Sequence, residues 1–418
     1  MGGRGETVGR RSLISLAVLN LFLADARDGL GPFLDAFLAT RGWSPMALGG
    51  IATVGGLIGL AATPLFGALV DGTRYKRALV AGPVVFVTAV GLATLLAPTT
   101  AVVWLGQTGT AVVGAVIGPA LTGLTLGLVG ERLFGNQIAR NEVWNHVGNV
   151  AYLAAVFLGV SLFGEPAIIA LMLVTATGAV VAVLAIEPHR IDHATARGLG
   201  GPETGSQPSG LRVLVSTPGL MLLGGVLLMF HFGNAPVSRL VAQDFAIELG
   251  SPFRTTAIIT GVSQVSMIAV AVAAPLLIRR FGLGAVVLAG LCALPLRGLI
   301  AGTQSGFWSI IPIQALDGIG AGLIGIATPI AAEHLLAGSG RFNIGLAAVM
   351  SMQGVGASLS NVVAGAVSQR YGYHASHLLS GAIAVVAVAV FLRWRRAIIR
   401  PQQTFADPSD PALPSPSR

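Results

Sequence analysis

Asp25, Arg27 and Asp28 fall within four positions of one another in an apolar run, and Asp35 follows one to two turns later. Charge in a low-dielectric medium is costly, so residues kept there serve pairing or binding. On a continuous helix Asp25 and Asp28 stand at i, i+3 on one face. Arg27 would lie about 100° round from Asp28 and about 200° from Asp25, so it cannot neutralise both. The chemistry this predicts is one carboxylate paired with Arg27 and a second that binds protons or a solute. The alternative is a permanent ion pair facing the interior of a bundle.

Other polar groups sit in similarly apolar surroundings. Asp317 has Gln314 one turn before it, and Arg297 is an isolated cation in a separate run. Asp317 and Arg297 either face a shared cavity or pair with each other. His231 and Asn234, at i, i+3, share a helical face, and histidine titrates near neutral pH. Asn145, His146 and Asn149 form a polar stripe at helical spacing, either lining a cavity or joining helices. Gln107, Gln264 and Gln353 are weaker candidates of the same kind. Most other chemistries are missing. The sequence holds no G-x-x-x-x-G-K-[ST] and no H-E-x-x-H. His189 and His193 share i, i+4 spacing but in a Gly- and Pro-rich setting unsuited to a metal. A single cysteine, Cys292, excludes an internal disulfide and a Cys-based metal site. No cofactor and no metal are expected, and no nucleophile–base constellation suggests an enzyme.

The elements that must hold these residues follow from composition. The chain has 418 residues, 54% hydrophobic and 10% charged, with mean hydropathy +0.79. Soluble domains carry roughly 25% charged residues, so this pattern predicts an all-α polytopic membrane protein. Its 57 glycines suit helices that pack closely in a membrane. Twelve apolar runs reach the roughly 20 residues a spanning helix needs: about 12–39, 47–70, 78–97, 100–129, 143–163, 166–186, 213–238, 255–278, 284–302, 307–330, 344–368 and 375–393. Breaks are expected at Gly31-Pro32, Pro119, Pro275 and Pro329. Arg10-Arg11 followed by Ala24-Asp25-Ala26 imitates a twin-arginine signal with its cleavage site, but the apolar run continues past the supposed cut, which favours an uncleaved first span.

All but one of the 25 basic residues are arginine, the exception being Lys76. With the N-terminus in the cytoplasm, nineteen of the 25 fall on the cytoplasmic side and only Arg41, Arg239, Arg254 and Arg370 on the other. The pI near 10.9 therefore reports topology, and no nucleic-acid partner is expected. The division predicted is an N-terminal six-helix half (1–186), a cytoplasmic linker (187–212), a C-terminal six-helix half (213–396) and a disordered cytoplasmic tail (397–418). The halves echo each other: Glu131-Arg132-Leu133 with Glu333-His334-Leu335, Arg140-Asn141-Glu142 with Arg341-Phe342-Asn343, and Pro119 with Pro329. A six-plus-six duplication is a secondary-transporter arrangement.

Gly67, Leu69 and Asp71, followed by Arg74, Lys76 and Arg77, resemble the loop-2/3 signature G-x-L-a-D-[RK]-x-G-[RK]-[RK] of the major facilitator superfamily (MFS). Gly72 stands where a basic residue is usual and Arg74 where glycine is usual. In the second half the counterpart of Asp71 is Arg279, so only the first-half motif should form a full gate. The segments Asp25 to Phe33, Phe230 to Asn234, Gln314 to Gly322 and Gly340 to Asn343 resemble a bacterial subgroup of these carriers. The resemblance covers nearly the whole chain and implies the two-half, 12-helix MFS fold. It also implies that Asp71, Arg74, Lys76 and Arg77, with Arg140 and Arg341, act as a cytoplasmic gate that latches the halves in the outward-open state.

The expectation is thus a secondary active carrier of a small solute that works by alternating access in the bacterial inner membrane, with both termini cytoplasmic. Its expected partners are the solute, protons and the lipid bilayer, and it is expected to be a monomer. Proton coupling through Asp25 or Asp28 and efflux by antiport are favoured, because an acidic pair suits proton exchange better than a sugar site. The alternative is a transporter-like receptor or scaffold that binds a ligand without moving it.

Overall fold

The computed structural model describes residues 9–197, 210–337, 339 and 341–399. Most of the expected tail and the middle of the expected linker lie outside the described residues. Among the described residues the chain is helical with no strand. The first half contains α1 (Arg10–Ala26), α2 (Phe33–Ala39), α3 (Pro45–Gly72), α4 (Ala78–Leu96), α5 (Thr100–Gly114), α6 (Ile117–Phe163) and α7 (Pro166–Ala185). The second contains α8 (Gly210–Ser216), α9 (Pro218–Leu249), α10 (Pro252–Phe281), α11 (Leu283–Thr303), α12 (Ile310–Leu336), α13 (Phe342–Tyr371) and α14 (Tyr373–Ile398). Among the described residues eleven stretches are long and apolar enough to cross a membrane.

Local chemistry sets the helix ends. Ser44 and Thr99 turn extended and accept hydrogen bonds from Ala47 N at 3.2 Å and Val102 N at 3.4 Å, the usual satisfaction of orphan donors at an N-terminus. Pro45 and Pro166 open their helices, where a missing N–H costs nothing. Within α6, Gly130 adopts φ 72° and ψ 169°, which divides it into spanning stretches Thr100–Gly130 (with α5) and Arg132–Phe163.

The expected first span is broken, and this changes what its charges can do. Helix α1 stops at Ala26, and the chain resumes as α2 at Phe33. Gly29 (φ 63°) and Gly31 (φ 45°) hold the intervening turns in the left-handed region, which costs an L-residue with a Cβ roughly 1–2 kcal/mol. The break was expected at Gly31-Pro32; it begins four residues earlier. Asp25 is therefore in helix and Asp28 in a turn, so the two do not share a helical face.

Each half has an apolar interior. Leu16, Leu19 and Leu23 of α1 pack with Val84 of α4, Leu124 of α6 and Val183 of α7. Leu223 and Phe230 of α9 pack with Leu291 of α11, Ile324 of α12 and Phe391 of α14. Small residues let backbones approach: a Cβ on Gly298 of α11 would sit 2.7 Å from Gly381 Cα of α14.

The halves meet chiefly through α3 against α13, α6 against α10 and α2 against α9. These contacts gather at the end away from the N-terminus. There Thr53 Oγ1 donates to Ser358 O (2.7 Å) and accepts from Val362 N (3.1 Å). Gly49 abuts the Asn361 carbonyl and Gly365 the Pro45 carbonyl, leaving no room for a side chain on either glycine. Phe33 and Phe37 stack against Phe253 at 6.0 and 5.7 Å. Toward the N-terminal end, by contrast, segments 139–147 of α6 and 268–281 of α10 are largely exposed.

Candidate functional site

The turns between α1 and α2 put Asp28 on the wall of a central cavity of about 500 Å³, whose other walls include Gln107, Arg239, Ser358 and Asn361. A second lobe of about 400 Å³ continues past Arg27, Asp28 and Thr110 to Gly114 and Ile117. Both lobes share Asp28, Thr110 and Ala111. Asp28 pairs loosely with Arg27, at 3.7 Å, and the two side chains are 59% and 47% exposed. Neither charge is withdrawn from the cavity.

Asp25 points elsewhere. It is buried between α1, α6 and α7, where it accepts a hydrogen bond from Thr175 Oγ1 at 3.1 Å and has the Tyr152 hydroxyl beside it. Among the described residues no cation lies within ion-pair distance of it. A buried carboxylate is ordinarily paired, which sets Asp25 apart from Asp35 and Asp317, each matched with an arginine.

The second half treats its charges in the opposite way. Arg297 is fully buried, and its guanidinium spends every edge. Nη1 pairs with Asp317 Oδ1 at 2.9 Å and donates to Asn234 Oδ1 at 2.7 Å. Nη2 donates to Ser238 Oγ at 2.9 Å and Gln314 Oε1 at 3.5 Å, and Nε to Ile313 O at 3.2 Å. Asp317 also accepts from Ser263 Oγ at 2.7 Å and Asn234 Nδ2 at 3.2 Å. His231, one turn before Asn234, is within electrostatic reach of Asp317. Of the two readings open for Arg297 and Asp317, the structural pair is the one found, and Asn234 and Gln314 belong to it.

At the far end Asp35 and Arg239 form a bidentate pair across the halves: Nε to Oδ2 and Nη2 to Oδ1, both 2.6 Å. Asp35 is 6% exposed and Arg239 36%. Arg239 was expected in a loop outside the membrane. It lies instead within α9, which runs on to Leu249, because apolar residues resume on both sides of Arg239 and again after Asp244, through Ile247.

The chain as a whole matches the family model described as the MFS_1 like family over residues 13–379. An MFS-type transporter of Mycobacterium tuberculosis, from strains CDC 1551 and H37Rv alike, is 35% identical over 398 residues, covering 94% of this chain and 95% of that protein. The chain belongs to the MFS. It is accordingly a membrane transporter of a multi-pass, non-enzymatic kind. Solved structures of similar shape include a mutant of the nucleoside transporter NupG (TM-score 0.74, 14% identity, 91% of this chain and 99% of that one). A bacterial homologue of the iron transporter ferroportin in an inward-facing state aligns at TM-score 0.67 with 15% identity, covering 93% and 99%. A bacterial homologue of the lysosomal transporter Spinster, also inward-facing, aligns at 0.68 with 14% identity, covering 95% and 98%. At such identities the likeness is one of fold.

Within this MFS chain the remaining expected residues fall as follows. Lys76 is buried, and its ammonium donates to Val70 O (2.8 Å) and Thr73 O (2.9 Å), ending α3. Arg77 donates to Leu184 O (3.1 Å) and Ile186 O (2.8 Å), ending α7. Both thus neutralise helix C-termini of their own half. Asp71, Arg74, Arg140 and Arg341 are exposed at the N-terminal end. Asn145 and Asn149 are half-buried, His146 is exposed, and none of the three lines either lobe of the cavity around Asp28. Gln107, a weaker candidate, does line it.

Sequence reading missed Arg239, Thr110, Ser358 and Asn361 as wall residues. Thr, Ser and Asn inside a span carry no distinctive signal, because they pack as readily as they bind. Arg239 did carry one: it stands in a run whose hydropathy does not drop on its far side.

Proposed function

We propose that this MFS carrier moves a small polar solute outward by alternating access, in exchange for protons bound at Asp25. The setting is a bacterial inner membrane with both termini cytoplasmic, and the monomer is the working unit. The arginine asymmetry supports that orientation, since it sets the N-terminal end, with Arg74, Lys76 and Arg77, in the cytoplasm. On that orientation the structure is closed to the outside and open inward. The exposed Asp71 and Arg74 are then the unlatched parts of a cytoplasmic gate, engaged when the halves rock the other way.

The observation that carries proton coupling is the isolation of Asp25, a buried carboxylate with only hydroxyl partners, three residues before the cavity carboxylate Asp28. A proton there removes the cost of a buried charge, and the turns at 27–32 connect the change to the cavity wall.

The test uses purified full-length chain in liposomes with an internal pH dye, challenged with pooled amino acids, nucleosides and sugars. Wild type should show solute-dependent proton movement. Asp25→Asn should abolish that movement while leaving solute exchange at equal pH intact. Unchanged proton movement in Asp25→Asn would remove Asp25 from the mechanism. Ligand-dependent stabilisation with no flux would identify a receptor instead.

A further inference from the structure

We propose that the solute is a small zwitterion, with one ammonium and one carboxylate as in an α-amino acid. Asp28 receives the ammonium, and Arg239 receives the carboxylate. The inference rests on the carrier reading of this cavity and adds the class of its solute.

Wall charge comes first. Four charged groups bear on the cavity in two pairs of opposite sign, Arg27–Asp28 from the first half and Asp35–Arg239 across the halves. Their sum is zero, so a solute with net charge would lose hydration without compensation. A solute carrying both signs would not. Nor are these groups saturated. The Arg27–Asp28 pair is loose at 3.7 Å and wet. Arg239 engages Asp35 through Nε and Nη2, which leaves Nη1 to donate to a carboxylate oxygen from a side chain already fixed in place.

Asp28 is the acceptor that the wall presents, since its side chain is more than half exposed and lines both lobes. An ammonium supplies three donors in a compact fork to meet it.

The rest of the lining limits size and shape. Neither lobe has an aromatic residue in its lining, so a nucleobase or a sugar ring finds no face to stack on and a quaternary ammonium no aromatic cage. The second lobe is lined past Arg27 by Gly114, Ala115, Ile117 and Pro119, which suits a short aliphatic side chain.

The test is a thermal-shift titration of purified full-length chain with L-alanine, L-serine, L-leucine and L-glutamine. Each is matched with its N-acetyl form, lacking the ammonium, and its amide, lacking the carboxylate; uridine and glucose represent uncharged solutes. At least one amino acid should raise Tm while both its blocked forms do not. Asp28→Asn should remove that rise. Arg239→Gln should weaken apparent affinity at least roughly tenfold, as loss of a hydrogen bond to a charged group does, with ligand-free Tm kept as the check on folding. Equal shifts from the blocked forms, or no shift from any amino acid, would overturn the zwitterion. Liposome flux separates the two readings. Uridine or glucose moved without amino-acid binding leaves the carrier and sinks the zwitterion. Amino-acid binding of the expected pattern without flux leaves the zwitterion and sinks the carrier.

Discussion

The Asp35–Arg239 pair should set how rarely the far end opens, and its removal has a calculable effect. Two contacts of 2.6 Å join a carboxylate that is 6% exposed to a guanidinium that is 36% exposed. A charge-assisted hydrogen bond contributes about 1.5–3 kcal/mol. Solvent on the arginine side reduces that, and Asp35→Asn keeps one hydrogen bond, so about 1.4 kcal/mol of closed-state preference should be lost. That is tenfold in the population open to the outside. The aromatic contacts of Phe33 and Phe37 with Phe253 remain, so the far end still closes most of the time. The assay introduces Ala357→Cys in the cavity wall, in a Cys292→Ser background because native Cys292 is exposed. Labelling by a membrane-impermeant thiol reagent added outside intact cells reports opening. Asp35→Asn and Arg239→Gln should each raise the rate about tenfold, and the double variant should rise no further, since both remove one interaction. Wild-type rates in both single variants, or full additivity in the double, would show that the pair does not hold the far end shut.

Other perturbations have distinct signatures. Arg297→Met leaves Asp317 without its cation, and loss of one partner from a buried pair costs about 3–5 kcal/mol; it should lower Tm in detergent markedly, and adding Asp317→Asn should restore part of the loss. Gly29→Ala forces φ 63° on a residue with a Cβ and sets that Cβ 3.1 Å from Val87 Cγ1, so it should cost at least about 1–2 kcal/mol and depress solute affinity through Asp28. Gly49→Ala drives a methyl into the Asn361 carbonyl and should raise outside labelling of the Ala357→Cys reporter as salt-bridge removal does. Between α7 and α8, Asp192 accepts from Ala194 N at 2.9 Å, Thr195 N at 3.1 Å and Thr195 Oγ1 at 2.7 Å. These bonds hold its carboxyl below the usual carboxylate range. Their contribution is present above the ordinary Asp value and is lost as pH falls through the lowered one, so Asp192→Ala should increase protease nicking near residues 190–197 at neutral pH and have little added effect in strong acid.

What the sequence made legible was whatever depends on composition and periodicity summed over many residues. Long apolar runs mark spans whatever their neighbours, so the runs that became α3, α4, α7 and α11 were found to within a few residues. The charges of the first span were also conspicuous, because anything ionisable stands out there. Their grouping was not readable, since a single break at Arg27 replaces a 100° rotation per residue with turns and sends Asp25 and Asp28 into different surroundings. Arg297 and Asp317 come from separate spans, so only tertiary packing could decide between a cavity and a pair. Lys76 and Arg77 sat in a basic cluster whose likeness to a gate signature concealed a local use, the capping of helix ends. Arg239 was assigned to a loop by a span boundary drawn at the first charge.

The distribution of charge within the bundle bears on how the halves alternate. Arg297, Asp317, Asn234, Ser263 and Gln314 all belong to α9–α12 of one half, so rigid rocking of that half carries the network along unchanged. It can stabilise the half, but it cannot distinguish inward-open from outward-open, because a contact made equally in two states shifts neither. Asp35–Arg239 is different in kind, for it must part when the far end opens. Asp25 differs again: its hydroxyl partners lie within the first half, and on the proposed coupling only its proton changes. The state of the carrier would then turn on two groups near one helix break. Separating the pair favours access from outside, and protonating Asp25 makes that rearrangement of α1 and α2 less costly. If so, Asp25→Asn, a fixed mimic of the protonated form, should raise outside labelling of the reporter in an otherwise intact gate. Adding Asp35→Asn should raise it further, because the two act on separate contacts. An Asp25→Asn variant that labels no faster than wild type would uncouple the proton site from the gate.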